Sequence, residues 1–328
     1  MSYFILGSNS FAGSCFVDFL LARKEKVIGV SRSSPSHPVL TPYFDCLNKK
    51  NYDFFQLDLN HHSDEIYQLI QKNKPTYIVD FAGQGMVAES WDAPWQWYTT
   101  NIVSKVKLHH FLKTCDFLER YVRISTPEVY GPVPHLIREE QAYLPSTPYA
   151  VSHAAIDMSL ITFYKQFNFP VTLVRFANFY GPYQQLYRII PRAIIYAFLG
   201  RKLQLQGGGL SKRAFIYGSD VAEGIYQSIH RGKPGEVYHF SGERCITIAE
   251  LVNKICAQLA IEVNSFVETV PDRPGKDNQY EMDDTKARTL LAWKPQHSLD
   301  TGISKTIDWV KENIRVIETL PLNYIHQP

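Results

Sequence analysis

The residues of this chain best suited to acid–base chemistry fall in two short segments. These are Ser125-Thr126-Pro127-Glu128-Val129-Tyr130-Gly131 and Pro148-Tyr149-Ala150-Val151-Ser152-His153. A carboxylate, a phenol and an imidazole are groups that positioned sites use to move protons, and a hydroxyl can hold the oxygen being worked on. The first segment closes the run Tyr121-Val122-Arg123-Ile124, which reads as a strand, so Thr126 and Glu128 stand at a strand's C-terminal end. The second segment opens a helix: Ser146 or Thr147 can cap it, and Pro148 suits its first turn. Tyr149 and His153 are four apart and share a helix face. Taken singly, such a tyrosine is ordinary packing and such a glutamate an ordinary solvated charge. Together they make a candidate site.

The elements that must position them begin at the N-terminus. Tyr3 to Leu6 is a short apolar strand, Phe11 to Arg23 has helical spacing, and Lys26 to Val30 is the next strand. The turn between the first two is Gly7-Ser8-Asn9-Ser10-Phe11-Ala12-Gly13. Glycines in such a turn let a dinucleotide's pyrophosphate approach the backbone and the helix N-terminus; Ser10 stands where the middle glycine would be. The alternation continues with strands at Asp53–Leu57, Tyr77–Phe81, 121–125 and Val171–Arg175. Helices fall between them at Ser63–Lys72, Tyr98–Thr114 and Tyr149–Phe167. This predicts an α/β fold, a doubly wound parallel sheet of Rossmann type, with a smaller C-terminal substrate-binding subdomain. Residues 1–177 are expected to bind the dinucleotide, with 215–240 returning to that domain, and 178–328 to form mainly a lid. A terminal helix is expected over Thr301–Asn313, and a capping box at Thr247 and Glu250.

Ligands of such sheets bind outside the carboxyl ends of the strands. Gly7, Ser10, Phe11, Ala12 and Gly13, then Asp58 and Leu59, then Phe81, Ala82 and Gly83, and Ser125 all fall on that edge, with Tyr149 and His153 beside them. The second strand ends in Val30-Ser31-Arg32-Ser33-Ser34. No carboxylate is there to hold a ribose diol, and Arg32 with its hydroxyl neighbours suits a 2′-phosphate, which points to NADP over NAD. Bulk properties set the class: 45% hydrophobic, 20% charged and a net charge of +2 fit a globular protein and give no reason to expect nucleic acid or an anionic membrane. Five cysteines without a CxxC pair suit a reducing compartment and offer no metal site. No signal segment or membrane span is visible, so a cytoplasmic location is expected.

With these residues in view, the chain resembles the extended short-chain dehydrogenase/reductase family, and within it the nucleotide-sugar 4,6-dehydratases. The likeness runs along nearly the whole length. It rests on the Gly7–Gly13 turn, on Ser125 to Gly131, on Tyr149 as the tyrosine of YxxxK, and on Asn178-Phe179-Tyr180-Gly181-Pro182-Tyr183. Further matches are Arg188-Ile189-Ile190-Pro191, Asp272-Arg273-Pro274-Gly275, Trp293-Lys294-Pro295 and Thr306-Ile307-Asp308-Trp309. The dTDP-glucose branch supplies most of these likenesses, and the GDP-mannose branch the one around Arg32. The resemblance implies oxidation of a nucleotide hexose at C4, loss of water across C5 and C6, and return of the hydride to C6. Tyr149 is implied as the base for the 4-hydroxyl, Thr126 as its partner on the same oxygen, and Glu128 as the base for C5. Asn178, Arg188, Arg213 and Arg273 are implied for the nucleotide-diphosphate sugar. A homodimer through the helices at 101–114 and 149–167 is implied as well. Epimerases and decarboxylases of nucleotide sugars share the fold, and a non-catalytic NAD(P)-binding protein is the alternative of another class. Two departures stand out. His153 replaces the family lysine, and Pro127, which can donate nothing, replaces the acid found in many dehydratases. An imidazole is mostly uncharged at neutral pH. Tyr149 is therefore expected to lack the permanent cation of its relatives, and His153→Lys to raise activity near neutrality.

Overall fold

A parallel sheet of seven strands carries the molecule, in the order β12-β7-β5-β4-β1-β2-β3. The computed structural model describes residues 1–133, 135–271 and 281–327. Along the chain come β1 (Ser2–Leu6), α1 (Phe11–Ala22), β2 (Lys26–Ser31), β3 (Tyr52–Gln56), α2 (Ser63–Asn73) and β4 (Tyr77–Asp80). Then come α3 (Pro94–Tyr98), a π-helical turn at Thr99–Ser104, α4 (Lys105–Leu112), β5 (Arg120–Ser125), β6 (Leu136–Ile137), α5 (Pro148–Phe167), β7 (Val171–Phe176) and β8 (Asn178–Tyr180). The second half holds α6 (Ile189–Phe198), β9 (Leu203–Gln206), β10 (Lys212–Arg213), β11 (Phe215–Tyr217), α7 (Gly218–Arg231), β12 (Val237–Phe240), β13 (Ile246–Thr247) and α8 (Ile248–Leu259). Last come α9 (Val263–Phe266), β14 (Val267–Val270), β15 (Glu281–Met282), α10 (Thr285–Leu290) and α11 (Leu299–Ile317).

The inner strands are largely apolar on both faces because both faces are covered, while the edge strand β3 is half exposed. Tyr3 and Ile5 of β1 pack with Phe16, Val17 and Leu20 of α1 and with Val221 and Ile225 of α7. Phe4 and Leu6 point the other way, to Ile66 and Ile70 of α2, Leu108 and Leu112 of α4, and Leu160 of α5. A separate cluster joins α6, α8 and α11 through Ile194, Ile255 and Val310. β12 returns from the second half of the chain to lie beside β7. No helix among the described residues is long and apolar enough to cross a membrane.

Capping fixes the ends that matter for the site. Thr147, not Ser146, caps α5 by accepting from the Ala150 N–H, with Pro148 in the first turn, and Asn168 closes the helix in the left-handed conformation. The capping box of Thr247 and Glu250 forms on α8. The helix expected over Tyr98–Thr114 begins earlier, at Pro94, contains the π turn, and ends at Leu112. The terminal helix also starts earlier than expected, at Leu299, because Ser298 accepts from the Thr301 N–H, and it runs on to Ile317.

Candidate active site

The Gly7–Gly13 turn has the geometry a dinucleotide requires. Gly7 sits at φ +75°, and a Cβ there would lie 2.6 Å from the Ala82 nitrogen. A Cβ on Gly13 would lie 2.3 Å from the Gly7 carbonyl oxygen. Ser10 is compatible with the turn because its backbone is extended (φ −67°). Its hydroxyl folds inward, donating to the Gly7 carbonyl at 2.8 Å and accepting from the Gly13 N–H at 3.1 Å. The N–H groups of Phe11 and Ala12, at the first turn of α1, have no partner within the helix and suit an anion.

A groove of about 210 Å³ opens over this turn. Gly7, Ser10, Arg32, Asp58, Leu59, Phe81, Ala82 and Gly83, all expected for the cofactor, line it. Ser31 and Ser33, the hydroxyl neighbours of Arg32, line it as well, while sequence reasoning missed Asn9, Gln84 and Thr100. Asp58 accepts from the Asn60 N–H at 2.6 Å, which fixes the rim near Thr100. The Arg32 side chain donates to the Gln327 carbonyl at 2.9 Å, and Gln84 donates to the same oxygen at 3.2 Å. His326 stacks on Trp97 with centroids 5.3 Å apart and bonds Gln96. Gln327 therefore bonds two residues that line the groove, a contact that no periodicity near the C-terminus announces.

Further along the strands' carboxyl edge, Thr126 caps a turn at Pro127–Tyr130 by accepting from the Glu128 N–H at 3.3 Å. That turn and the start of α5 bring Thr126, Glu128 and Tyr149 together. The Thr126 hydroxyl bonds the Tyr149 phenol, and the Glu128 charge acts on it. The phenol is pushed up to about 12, by burial first and then by Glu128, while Thr126, Arg123 and Arg188 pull it down. Pro127 is buried at the first position of the turn, so no proton donor stands there. Ser125 departs from expectation. Its hydroxyl, foreseen for the cofactor, turns to Asp157 at 2.5 Å because that carboxylate is buried and needs donors.

His153 lies against Tyr149, with ring centroids 4.6 Å apart. Its Nδ1 accepts from Arg123 Nη2 at 3.0 Å. Burial, then Arg123, Lys105 and Arg175, hold the imidazole well below the ordinary histidine range. The expectation that His153 leaves Tyr149 without any permanent cation is thereby corrected: a guanidinium stands directly behind it.

That guanidinium belongs to a buried row of charges invisible to the motif reading. Lys105 Nζ is 2.6 Å from Asp80 Oδ2 and also donates to the Ala82 carbonyl. Arg123 lies 3.7 Å from Asp80 and 3.7 Å from Asp157. Arg175 donates to Asp157 at 2.8 Å. All five side chains are essentially inaccessible. Three cations thus face two carboxylates. Burial works to raise Asp80, but Lys105 and Arg123 overcome it and hold the carboxyl below its usual range. Lys105 is lowered to about 8, by burial and then by Arg123, which outweigh Asp80. The neighbouring cations push both groups the same way, and for Lys105 burial is the larger cause. A signal was present in the sequence: Asp80 and Arg123 interrupt apolar strands with opposite charges, and they are register partners on β4 and β5.

The residues expected for substrate are less gathered. Arg188 is exposed at the start of α6, and its charge reaches Tyr149. Asn178 begins β8 and pairs with Phe215 of β11. Arg213 lies on β10 and donates to the Lys212 carbonyl. Arg273 falls outside the described residues.

Comparison with known proteins gives a consistent family. Residues 4–306 match the family model of GDP-mannose 4,6 dehydratase. The chain is 32% identical to dTDP-D-glucose 4,6-dehydratase of Mus musculus over 276 residues, covering 81% of this chain and 76% of that protein. It is 29% identical to dTDP-glucose 4,6-dehydratase of Escherichia coli, covering 95% and 94%. Among solved structures, the dTDP-glucose 4,6-dehydratase of Bacillus anthracis in complex with NAD superposes with a TM-score of 0.86 at 28% identity, covering 96% of this chain and 98% of that one.

Proposed function

Because this chain belongs to the GDP-mannose 4,6 dehydratase family, we propose that it is an NAD(P)-dependent nucleotide-sugar 4,6-dehydratase. The observation that carries the reading is the convergence of Thr126, Glu128 and Tyr149 on the edge that also bears the Gly7–Gly13 turn. When bound, the nicotinamide would take a hydride from the sugar and later give it back. Tyr149 takes the proton of the 4-hydroxyl, while Thr126 holds the same oxygen. Oxidation at C4 acidifies the C5 hydrogen, and Glu128 removes it. Pro127 cannot protonate the departing 6-hydroxyl, so Glu128, on the same turn, hands on the proton it has taken and water leaves. We assign Arg188, whose charge reaches Tyr149, to the diphosphate, and Arg213, Arg273 and Asn178 to the nucleotide sugar.

We read the cofactor as NAD, on the strength of the NAD-bound relative. The NADP preference expected from Arg32 has no such support, and Arg32 reaches toward Gln327. We further read residues 178–328, apart from 215–240, as the lid over the sugar. Val103, Val151 and Met158, exposed around α4 and α5, favour a homodimer through those helices. Five free cysteines suit the reducing compartment expected above. Incubation with a panel of nucleotide hexoses, read by mass spectrometry, tests the function. Loss of water supports it. An isomer of unchanged mass would mean an epimerase, and loss of carbon dioxide from a uronate a decarboxylase. No conversion at all, with cofactor bound, would leave a binding protein.

A further inference from the structure

We propose that Arg123 is a positioning residue for His153: it fixes the imidazole as the neutral Nε2–H tautomer and supplies, from behind the ring, the positive charge that a lysine at 153 would have carried. The inference rests on the reading above that Tyr149 and His153 face the reacting groups.

A guanidinium can only donate, so an Arg123 Nη2 at 3.0 Å obliges His153 Nδ1 to accept. The remaining ring proton then sits on Nε2, on the side of the ring away from Arg123. His153 is left as a directed donor without charge. Among the described residues three cations act on it: Arg123 on β5, Lys105 on α4 and Arg175 on β7. Tyr149 on its own helix packs against the ring, and Asp80 on β4 and Asp157 on its own helix lie beyond Arg123, 3.7 Å from that guanidinium. The cations outnumber the carboxylates, so the imidazolium form is opposed from three sides.

Charge balance in the row does not explain why Arg123 is there. Without it, Lys105 would still meet Asp80 at 2.6 Å and Arg175 would still meet Asp157 at 2.8 Å, two cations with two carboxylates. Arg123 is the excess charge, 3.7 Å from each carboxylate, and its one short side-chain contact among the described residues is with His153. Two duties that one lysine could combine, donating a hydrogen bond and lending a cation to the phenol, are here divided between His153 and Arg123. A lysine placed at 153 alone would put an ammonium against that guanidinium. Raised activity for His153→Lys, expected from the sequence, is therefore replaced by a loss.

Ring-nitrogen NMR of the histidine-labelled holoprotein tests this directly, with His153→Gln identifying the signal. The expected spectrum is a neutral His153 protonated at Nε2 and unchanged from about pH 5.5 to about pH 9, a window that spans the ordinary histidine pKa. A proton on Nδ1, or a titration inside that window, would overturn the proposal. Kinetics supply a second reading. His153→Lys should lose at least about tenfold in kcat/KM, and Arg123→Met combined with His153→Lys should recover at least about tenfold over that single variant, a coupling of about 1.4 kcal/mol. Additive losses in folded, cofactor-loaded variants would also overturn it. Failure to dehydrate any nucleotide hexose, with the Nε2–H tautomer intact, would refute the dehydratase reading and leave the positioning role standing.

Discussion

Replacing Asp80 by Asn keeps the shape of the side chain and removes the carboxylate that Lys105 and Arg123 share. Lys105 loses its 2.6 Å ion pair, and the Tyr121 hydroxyl loses a charged acceptor at 2.8 Å. Stranding one member of a buried pair costs about 3–5 kcal/mol. The pH dependence of that cost is the sharper test. Lys105 already titrates at about 8 in the folded parent, against 10.5 for an unperturbed lysine. A lysine depressed in the folded state binds fewer protons there than in the unfolded state, so stability rises with pH between the folded and unfolded values. Without Asp80 the folded value drops further, and the variant begins to gain stability at a lower pH than the parent. Each unit of that drop adds about 1.4 kcal/mol to the gap between parent and variant at low pH and nothing above about pH 8. Urea unfolding of both proteins at about pH 6 and about pH 8.5 should therefore show a gap of several kcal/mol that narrows at the higher pH. A gap under about 1 kcal/mol, or one that is the same at both pH values, would refute the buried row as described.

Tyr149→Phe should lower kcat by about 10²–10⁴, and the parent's rate should climb from neutral to alkaline pH because the phenol is pushed up to about 12; a flat profile would remove Tyr149 from the role of base. Glu128→Gln should let reduced cofactor accumulate at its absorbance band while elimination stalls. Release of the 4-keto-6-deoxy product at the parent rate would mean that Glu128 does not act on C5. Gly13→Ala places a methyl 2.3 Å from the Gly7 carbonyl and should cost about 1–3 kcal/mol of stability together with most of the cofactor affinity. Unchanged calorimetric binding of NAD would disprove the assignment of the turn.

The parallel sheet was legible because most of its strands are short apolar runs bounded by turn residues and separated by helical stretches, β2 and β3 being joined by a loop instead. The pairing of Thr126 and Glu128 with Tyr149 was legible for a local reason: a strand end and a capped helix start are both set by neighbouring residues. Ser10, which takes the middle glycine's place in the turn, closes it through the bonds of its hydroxyl. Contacts between distant segments were not legible. Arg32 and Gln327 are 295 residues apart, and nothing near either marks the other. The short strands β9 and β14 find each other only in three dimensions. The buried charges were passed over because Arg123 and Asp80, inside apolar strands, read as incidental until the register of β4 and β5 set them side by side.

The buried row also shapes how this sequence can change. Its members lie on five different elements: Asp80 on β4, Lys105 on α4, Arg123 on β5, Asp157 on α5 and Arg175 on β7. Neutralising Lys105 with Asp80, or Arg175 with Asp157, removes a matched pair, so those positions are mutationally tied two by two across the chain. Arg123 stands between the two couples, 3.7 Å from each carboxylate, and its exchange leaves both short pairs in place. Its loss would leave two cations with two carboxylates, and the residue at 153 is the one whose short contact it would remove. On the proposal above, a lysine at 153 is expected to be tolerated only once position 123 no longer carries its charge.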